Sequence, residues 1–349
     1  MFYINSASCI SPQQTFGNID IEHLQASVNN KLKAVEPAYP QFTGNAIRRM
    51  SKSTRIGAGA ALPLFVNKKL PDGIVIGTQV GGMEENGKFL KQIIEYNEDL
   101  LAPGNFVQGT PNNISSQIAL ISGNTNYNIT HVHRGLAFEN AVIDVGMLLK
   151  ENPRSNYLLG GVDEIAANNY VLDQLAGWFK MEPCNNFDLY NTTTNGSIAG
   201  EGAAMFIVSN DKQNALARLK GIITIHNADL NIVKERIKVF LGDNLSLGQK
   251  VDLLLSGENG DQRSVCYYTA CESLLDNSIP VARFKHMCGE YPTATSFALW
   301  LACNFISGHL RVPAHMFKTH GPTGGYQNIL IYNTHKTNQH SCMLVSAAV

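Results

Sequence analysis

Strand and helix patterns alternate along the whole chain of 349 residues. The run 73–77 is apolar, is closed by glycines and predicts a buried strand, and 84–101 follows it with helical periodicity. Further strands are predicted at 127–131, 157–162, 203–209, 217–226, 251–255, 280–285, 328–332 and 341–347. Further helices are predicted at 113–121, 135–150, 230–241, 263–275 and 292–306. Because helices separate most of these strands, the chain is expected to form an α/β protein with a parallel or mixed sheet.

The strand and helix patterns fall into two successive sets. The segment 182–197 between them holds Pro183 and a polar run, which is typical of a surface loop. We therefore expect two halves of similar α/β architecture, residues 1–196 and 197–349. With 44% hydrophobic residues the chain can bury a large core.

Charge and cysteine usage exclude several kinds of protein. The net charge is −1, which offers no electrostatic basis for nucleic-acid binding. No apolar run approaches the ~20 residues that a membrane span needs. The seven cysteines include no CxxC pair, and we expect neither a metal nor a cofactor. Their odd number, without a secretory signal, predicts a protein of the reducing cytoplasm.

Several motifs occur in an order that resembles the β-ketoacyl synthases of the thiolase superfamily. They are Arg48-Arg49-Met50-Ser51 before an Ala/Gly-rich helix, Gly77-Thr-Gln-Val-Gly-Gly82, Gly160-Gly161-Val162-Asp163-Glu164, Gly200-Glu201-Gly202-Ala203-Ala204, and Lys285 with Gly289 before an apolar helix. Each motif is weak alone, but the ordered set covers nearly the whole chain. The resemblance implies a thiolase-like, five-layered αβαβα fold built from two similar halves. It also implies a dimer and an acyl carrier protein as partner.

The family's nucleophilic cysteine has no counterpart in this chain. In active synthases it follows a strand and begins a helix, where the thiolate is stabilised. Alignment of strand 126–130 and Ala137 places His133 there, and a gap would place His131 there instead. No cysteine occurs between Cys9 and Cys184, so the absence of a thiol does not depend on the gap.

The two catalytic histidines of the family are replaced as well. The first falls on Gly257, or on Glu258 if the register slips by one residue. The second falls on Glu290, in a Lys285-His-Met-Cys-Gly-Glu290 segment that resembles Lys-Ser-x-x-Gly-His. Those histidines would donate hydrogen bonds to an oxyanion, whereas an ionised carboxylate only accepts them. The terminal Gly-Phe-Gly-Gly-Thr-Asn loop is also replaced, by residues 332–338.

Each of these residues also has a purely structural interpretation. Glu290 precedes a helix whose N-terminus stabilises a carboxylate, and Lys285 would form an ion pair with Glu290 or with another carboxylate. His131 and His133 would be core or interface histidines, and Glu258 would belong to a turn. Their joint placement on a family active site favours the functional interpretation, and we expect His133, Gly257 or Glu258, and Glu290 around one pocket.

The resemblance implies a non-condensing subunit, similar to the chain-length factors of polyketide, aryl-polyene and flexirubin pathways. Such a subunit pairs with an active ketosynthase, and we expect the dimer to form across the strand near 127–131, with a homodimer as the other possibility. A second hypothesis is a diverged acyl-thioester hydrolase or decarboxylase that uses His133 and Glu290, with Lys285, His131 and Glu258 nearby. A third is a scaffold homodimer without chemistry.

Overall fold

A computed structural model describes residues 1–39, 42, 47–48, 50–66 and 69–348, so Arg49 of the first motif lies outside the described residues. The strands are β1 Phe2–Ile10, β2 Lys31–Leu32, β3 Gly73–Thr78, β4 Tyr127–Val132, β5 Asn156–Asp163, β6 Ala199–Gly200, β7 Gly202–Ser209, β8 Ala217–His226, β9 Leu253–Ser256, β10 Val281–Arg283, β11 Phe317–Thr319, β12 Asn328–His335 and β13 Gln339–Ser346. The α-helices are α1 Lys52–Ala61, α2 Met83–Glu95, α3 Pro103–Gln108, α4 Asn113–Ser122, α5 Ala137–Glu151, α6 Ala167–Leu175, α7 Leu230–Asn244, α8 Val265–Glu272, α9 Lys285–Cys288 and α10 Ala294–Ser307.

Within the described residues, one sheet of eleven strands runs in the order β11-β10-β9-β12-β13-β8-β1-β7-β5-β3-β4. Strands β4-β3-β5-β7-β1 and strands β10-β9-β12-β13-β8 repeat one arrangement. In each set the first three of these strands are parallel to one another. The fourth strand pairs antiparallel with the third, and the fifth pairs antiparallel with the fourth. The two sets meet where β1 pairs with β8 through Phe2, Tyr3 and Ile4. The sheet therefore contains the duplication that the sequence patterns suggested.

The repeat also indicates where one half ends. Strand β7, at Gly202–Ser209, completes the first set, and β8 begins the second at Ala217. We propose a boundary between Ser209 and Ala217, instead of between residues 196 and 197, because sheet pairing groups β7 with the strands before it.

The helices form three layers around the two sets of strands. Helices α1 and α4 pack on the outer face of the first set, and α7 and α8 pack on the outer face of the second. Helices α5 and α10 lie between the sets and contact strands of both. The largest buried cluster surrounds them and includes Phe138, Val142, Phe297 and Trp300. This arrangement is the five-layered αβαβα architecture expected from the motifs.

Most predicted elements are present, with three differences. The helix expected over 84–101 ends at Glu95, because Asn97, Glu98 and Leu100 have positive φ angles of 50°, 70° and 52°. The strand expected over 280–285 ends at Arg283, and Lys285 begins the short helix α9. Strands β1, β2, β6 and β11 and helices α3 and α6 were not predicted. No helix among the described residues is long and apolar enough to cross a membrane.

Candidate functional site

The candidate site lies where the parallel strands of both sets end. His133 follows β4, Asp163 ends β5, Asn259 follows β9, Glu290 follows β10 and α9, and His335 ends β12. Ligands of α/β sheets bind in crevices outside the carboxyl ends of such strands. The repeat therefore brings polar side chains of both halves toward one region, beside the starts of the central helices α5 and α10.

Glu290 is held in place by a close backbone approach. Gly289 has a φ angle of +74°, and a Cβ at Gly200 would overlap the carbonyl oxygen of Cys288. The two glycines allow Glu290 to pair with strand β6: Gly200 N donates to Glu290 O at 3.0 Å, and Glu290 N donates to Ile198 O at 2.8 Å. The glycines of two of the motifs thus fix the position of the carboxylate.

The Glu290 side chain is surrounded by hydrogen-bond donors. Lys285 Nζ lies 2.9 Å from Oε1, and Asn259 Nδ2 donates to Oε2 at 2.7 Å. His335 Nδ1 lies 3.8 Å from Oε1. Lys285 is fully buried and Glu290 is 9% exposed. The ion pair that the structural interpretation of Lys285 required is therefore present.

These donors keep Glu290 ionised. Burial opposes the charged form, but the Lys285 ammonium, His335 and Asn259 outweigh burial and lower the pKa of Glu290 to about 2. A carboxylate that is charged at neutral pH cannot donate a hydrogen bond to a developing oxyanion. Lys285 and Asn259 could donate, but each already directs a donor at Glu290.

His133 begins the turn that leads into helix α5. The ring Nδ1 of His133 accepts a hydrogen bond from the backbone N–H of Leu136 at 3.3 Å, and the backbone N–H of His133 donates to Thr78 O at 3.4 Å. Burial, with the nearby His226 and His335, lowers the pKa of His133 below its usual value. The imidazole is therefore neutral at physiological pH.

His131 is placed differently. Its Nε2 lies 2.9 Å from Asp144 Oδ2, and both side chains are about a quarter exposed, at 25% and 23%. His131 lines neither of the cavities described below. The alternative alignment would place the nucleophile position on this partly exposed ion pair instead of in a cavity.

Gly257 and Glu258 do not meet Glu290. Gly257 packs against the side chain of Asn333, and the carbonyl oxygen of Gly257 accepts a hydrogen bond from Tyr268 Oη at 2.6 Å. Glu258 forms ion pairs with Arg283 at 3.1 Å and with Lys318 at 2.8 Å, away from the cavities.

Asn259 is the residue of this loop that contacts Glu290. Sequence reasoning missed it because the register was anchored on the end of strand β9. The order Asn259-Gly260 carried the signal, since it matches His-Gly in the family's Asn-Ala-His-Gly-Thr segment. We therefore propose a register one residue beyond Glu258, with Asn259 at the histidine position.

Two adjoining cavities open at the site. The first, the Glu290 cavity, is lined by Glu290, Asn259 and Asp163 among others. The second, the His133 cavity, is lined by His133 and His226 among others. Five residues line both cavities: Gln79, Asn169, Trp178, His335 and Lys336. His133 and Glu290 had been expected around one pocket, whereas they line two adjoining cavities that share these residues.

Two further carboxylates of the motifs are engaged in the scaffold. Asp163 accepts hydrogen bonds from Thr78, Gln79 and Thr293, which tie β3 and β5 to the start of α10. Burial raises the pKa of Asp163 to about 6. Glu201 pairs with Lys52 and accepts from Ala34 N and Ile165 N. The Gly-Glu-Gly-Ala motif thus has a structural role here.

None of the residues that line these two cavities is a cysteine. Cys288 lies three residues after Lys285, but it is fully buried, and burial raises the pKa of its thiol far above the usual value. Among the described residues, no group of three or more His, Cys, Asp or Glu side chains is arranged to hold a metal ion. The lining of the two cavities offers imidazoles and carboxylates, and no thiolate.

Comparison with sequence families finds no match for this chain, and comparison with curated proteins finds none. Solved structures are similar over almost the whole chain. A chain of "The ishigamide ketosynthase/chain length factor" has a TM-score of 0.77 at 12% identity, covering 99% of this chain and 98% of that one. A chain of the ketosynthase ApeO in complex with its chain length factor ApeC, from Xenorhabdus doucetiae, has a TM-score of 0.76 at 12% identity, covering 99% and 98%. A chain of AntDE:AntF, a type II PKS acyl-carrier protein in complex with its ketosynthase bound to the hexaketide, has a TM-score of 0.73 at 13% identity, covering 99% of both chains. The thiolase-like α/β fold predicted from the motifs is confirmed.

Proposed function

We propose that this chain is a non-condensing, ketosynthase-like subunit that pairs with an active ketosynthase in acyl-carrier-dependent biosynthesis of a polyketide, polyene or fatty acid. The observation that carries the proposal is the buried Lys285–Glu290 ion pair, with Asn259 directed at the same carboxylate. At the place where the family would stabilise an oxyanion, this chain holds a fixed negative charge. At the place of the nucleophile it holds His133.

The geometry argues against the alternative of a hydrolase or decarboxylase that uses His133 and Glu290. A general base works best with a pKa near the operating pH, and the pKa of Glu290 is about 2. His133 lines the neighbouring cavity, and no hydrogen bond joins it to Glu290 among the contacts of the described residues. The two residues are therefore not arranged as an acid–base pair.

Partner choice is supported by the free edge of the sheet and by the kinds of protein with this fold. Strand β4 ends the sheet among the described residues, and Tyr127 and Val132 on it are 45% and 47% exposed. An exposed strand edge invites pairing with another chain. The structure from Xenorhabdus doucetiae is a ketosynthase with its chain length factor, and AntDE:AntF includes an acyl-carrier protein. We propose a ketosynthase at the β4 edge, a homodimer in its absence, and an acyl carrier protein as further partner.

We propose the cytoplasm as the location, since all seven cysteines are free and a reducing compartment keeps them so.

The chemical half of the proposal is tested by incubating the isolated chain with acyl- and malonyl-carrier proteins and analysing the products by mass spectrometry. We expect no elongated product. A His133→Cys variant is the matched control: it restores a thiol at the start of α5, and we expect alkylation of that thiol but still no elongation, because Glu290 remains. An elongated product, or an acyl adduct on a residue of either cavity in the unmodified chain, would overturn the proposal.

The pairing half is tested by co-expression with an active ketosynthase, followed by light scattering on a sizing column. Tyr127→Lys should dissociate the pair, because a charge would be buried in an interface of roughly 2,000 Å² or more. Val239→Lys is the control, since Val239 is 49% exposed on helix α7, on the outer layer of the second half. A pair that survives Tyr127→Lys intact excludes the β4 edge as the interface.

A further inference from the structure

The two cavities of the site differ in the charged groups that line them. Apart from histidine, the Glu290 cavity is lined by four carboxyl groups and one cationic group: Asp163, Glu164, Asp261, Glu290 and Lys336. The His133 cavity is lined by two cationic groups and one carboxylate: Arg134, Lys336 and Asp173. Lys336 Nζ lies 2.6 Å from Asp173 Oδ1, so these two charges compensate each other. Arg134 is exposed and has no ion-pair partner among the described residues, so an anionic ligand matches the His133 cavity and not the Glu290 cavity.

His133 presents an unused hydrogen-bond donor to the same cavity. Its ring Nδ1 accepts from the backbone N–H of Leu136 at 3.3 Å, so the neutral imidazole carries its proton on Nε2. This Nε2–H donates to no described residue. The imidazole nitrogen Nε2 of His335 also lacks a partner, but it is buried, with less than 1 Å² of accessible surface. His133 Nε2 is not one of these buried atoms, and it is therefore within reach of a ligand in the cavity that His133 lines.

The turn that begins at His133 is held in place by both halves of the fold. The backbone N–H of His133 donates to Thr78 O at 3.4 Å, and the backbone N–H of Gly135 donates to Gln339 Oε1 at 3.0 Å. A Cβ at Gly135 would lie only 2.4 Å from His335 Cδ2, so the absence of a side chain permits this close approach. Groups that are fixed before binding lose little freedom when a ligand arrives. The Nε2–H of His133, whose ring is anchored through Nδ1, is a donor of this kind.

We propose that the His133 cavity binds an anionic group, a carboxylate or a phosphate monoester, that accepts a hydrogen bond from His133 Nε2–H and pairs with the Arg134 guanidinium. Such a group supplies the acceptor that Nε2–H lacks and compensates the charge of Arg134. Hydrogen bonds to ionised acceptors are shorter and stronger than those between neutral groups. A neutral ligand of the same shape would meet the donor but not the charge. The inference goes beyond the subunit role and does not depend on it, because the site is formed by this chain alone.

The test is NMR of the full chain with isotope-labelled histidine, in which each of the ten imidazoles reports separately. The signal of His133 is identified by its loss in His133→Gln. At neutral pH this signal should show a proton on Nε2 and none on Nδ1. Methyl phosphate or acetate should shift it until it saturates, whereas acetamide, which has the shape of acetate without its charge, should not. The anion that binds more tightly identifies the class of ligand as a phosphate monoester or a carboxylate.

Substitutions separate the two contacts, with binding followed through the signals of His226 and His335, which line the same cavity. His133→Leu should weaken anion binding at least about tenfold, because it removes a hydrogen bond to a charged group. His133→Gln should keep part of the affinity, since its amide group can donate. Arg134→Gln should weaken binding at least about threefold. Arg236→Gln is the matched control: it removes the same charge from an exposed position on helix α7, on the outer layer of the second half, and should leave the affinity unchanged.

A thermal melt of each variant identifies one that is unfolded, and the comparison of acetate with acetamide and the exposed Arg134→Gln decide the question even if His133→Leu does not fold. The inference is overturned if the wild type binds neither anion with a Kd below about 10 mM. It is also overturned if acetamide binds as well as acetate, if folded His133→Leu binds as the wild type does, or if Arg236→Gln weakens binding as much as Arg134→Gln. Since no synthase is present, failure here is distinct from failure of the proposed function: a chain that pairs with a synthase without binding anions refutes only the anion site.

Discussion

Replacing Glu290 by Gln tests whether the buried ion pair stabilises the fold. The substitution keeps the shape of the side chain and removes its charge, which leaves the fully buried Lys285 without a counter-ion. The pKa of Glu290 is lowered from its usual 4.5 to about 2. At 1.36 kcal/mol per unit of pKa, this shift corresponds to about 3 kcal/mol of stability at pH 7. Removing one partner of a buried pair typically costs about 3–5 kcal/mol, so the two lines of reasoning agree.

The pH dependence follows from the direction of the shift. The pKa is lower in the folded than in the unfolded protein, so the contribution of Glu290 is fully present above pH 4.5. It is lost as the pH falls from 4.5 toward about 2, because in this window the unfolded state binds a proton that the folded state does not, and this stabilises the unfolded state. The difference in stability between the wild type and Glu290→Gln should therefore narrow in acid.

The measurement is urea unfolding of both proteins, followed by tryptophan fluorescence at pH 7 and near pH 3. When the two proteins are compared at the same pH, the contributions of the other carboxylates to the free energy of unfolding cancel in the difference. Glu235→Gln is the control: its side chain is 65% exposed and its distance to Lys238 is 4.0 Å. The reasoning is refuted if Glu290→Gln costs less than about 1 kcal/mol at pH 7. It is also refuted if the difference does not narrow in acid.

Three further predictions concern the scaffold. Gly200→Ala should destabilise the protein by more than about 3 kcal/mol in thermal melts, because the added Cβ meets backbone atoms. Gly104→Ala should be nearly neutral, because nothing lies within 4 Å, and equal effects of the two substitutions would contradict the steric explanation. Alkylation of the folded protein followed by mass spectrometry should modify Cys184 and Cys266 quickly and the five buried cysteines slowly; fast labelling of a buried one would indicate local opening. Glu258→Gln should lower the melting temperature without changing pairing with the synthase, since its ion pairs are with β10 and β11, at the end of the sheet opposite β4; loss of pairing would give Glu258 a role that its position does not support.

The sequence predicted the layers of the fold because apolar periodicity records which face of each element is buried. It did not predict strand β1, whose middle residues Asn5, Ser6, Ala7 and Ser8 are all half-buried, so the strand shows no apolar run. Its place in the sheet depends on partners near residues 203–219, which no local pattern reveals.

The site was predictable to a similar extent. The contact between Lys285 and Glu290 was one of the structural alternatives that the motif suggested, and it is present. The replacement of the nucleophile by His133 stays a prediction. Asn259 and His335 did not follow from local motifs, because each is recognised by what it meets in space. His335 lies in a loop that no longer resembles the family, and there the comparison of motifs offers no guide. Only the convergence of strand ends from both halves identifies it.

Strand β1 has a consequence for the order in which the protein folds. It lies in the middle of the sheet, where Tyr3 pairs with Ser209 in β7 and Phe2 pairs with Leu219 in β8. During synthesis at roughly 5–20 residues per second, this segment must wait for partners about two hundred positions later before it can join the sheet. Pairings so distant in sequence are formed slowly. The seam between the two halves therefore closes late, and a nascent chain keeps the inner edge of the first set open to chaperones until β8 has been made.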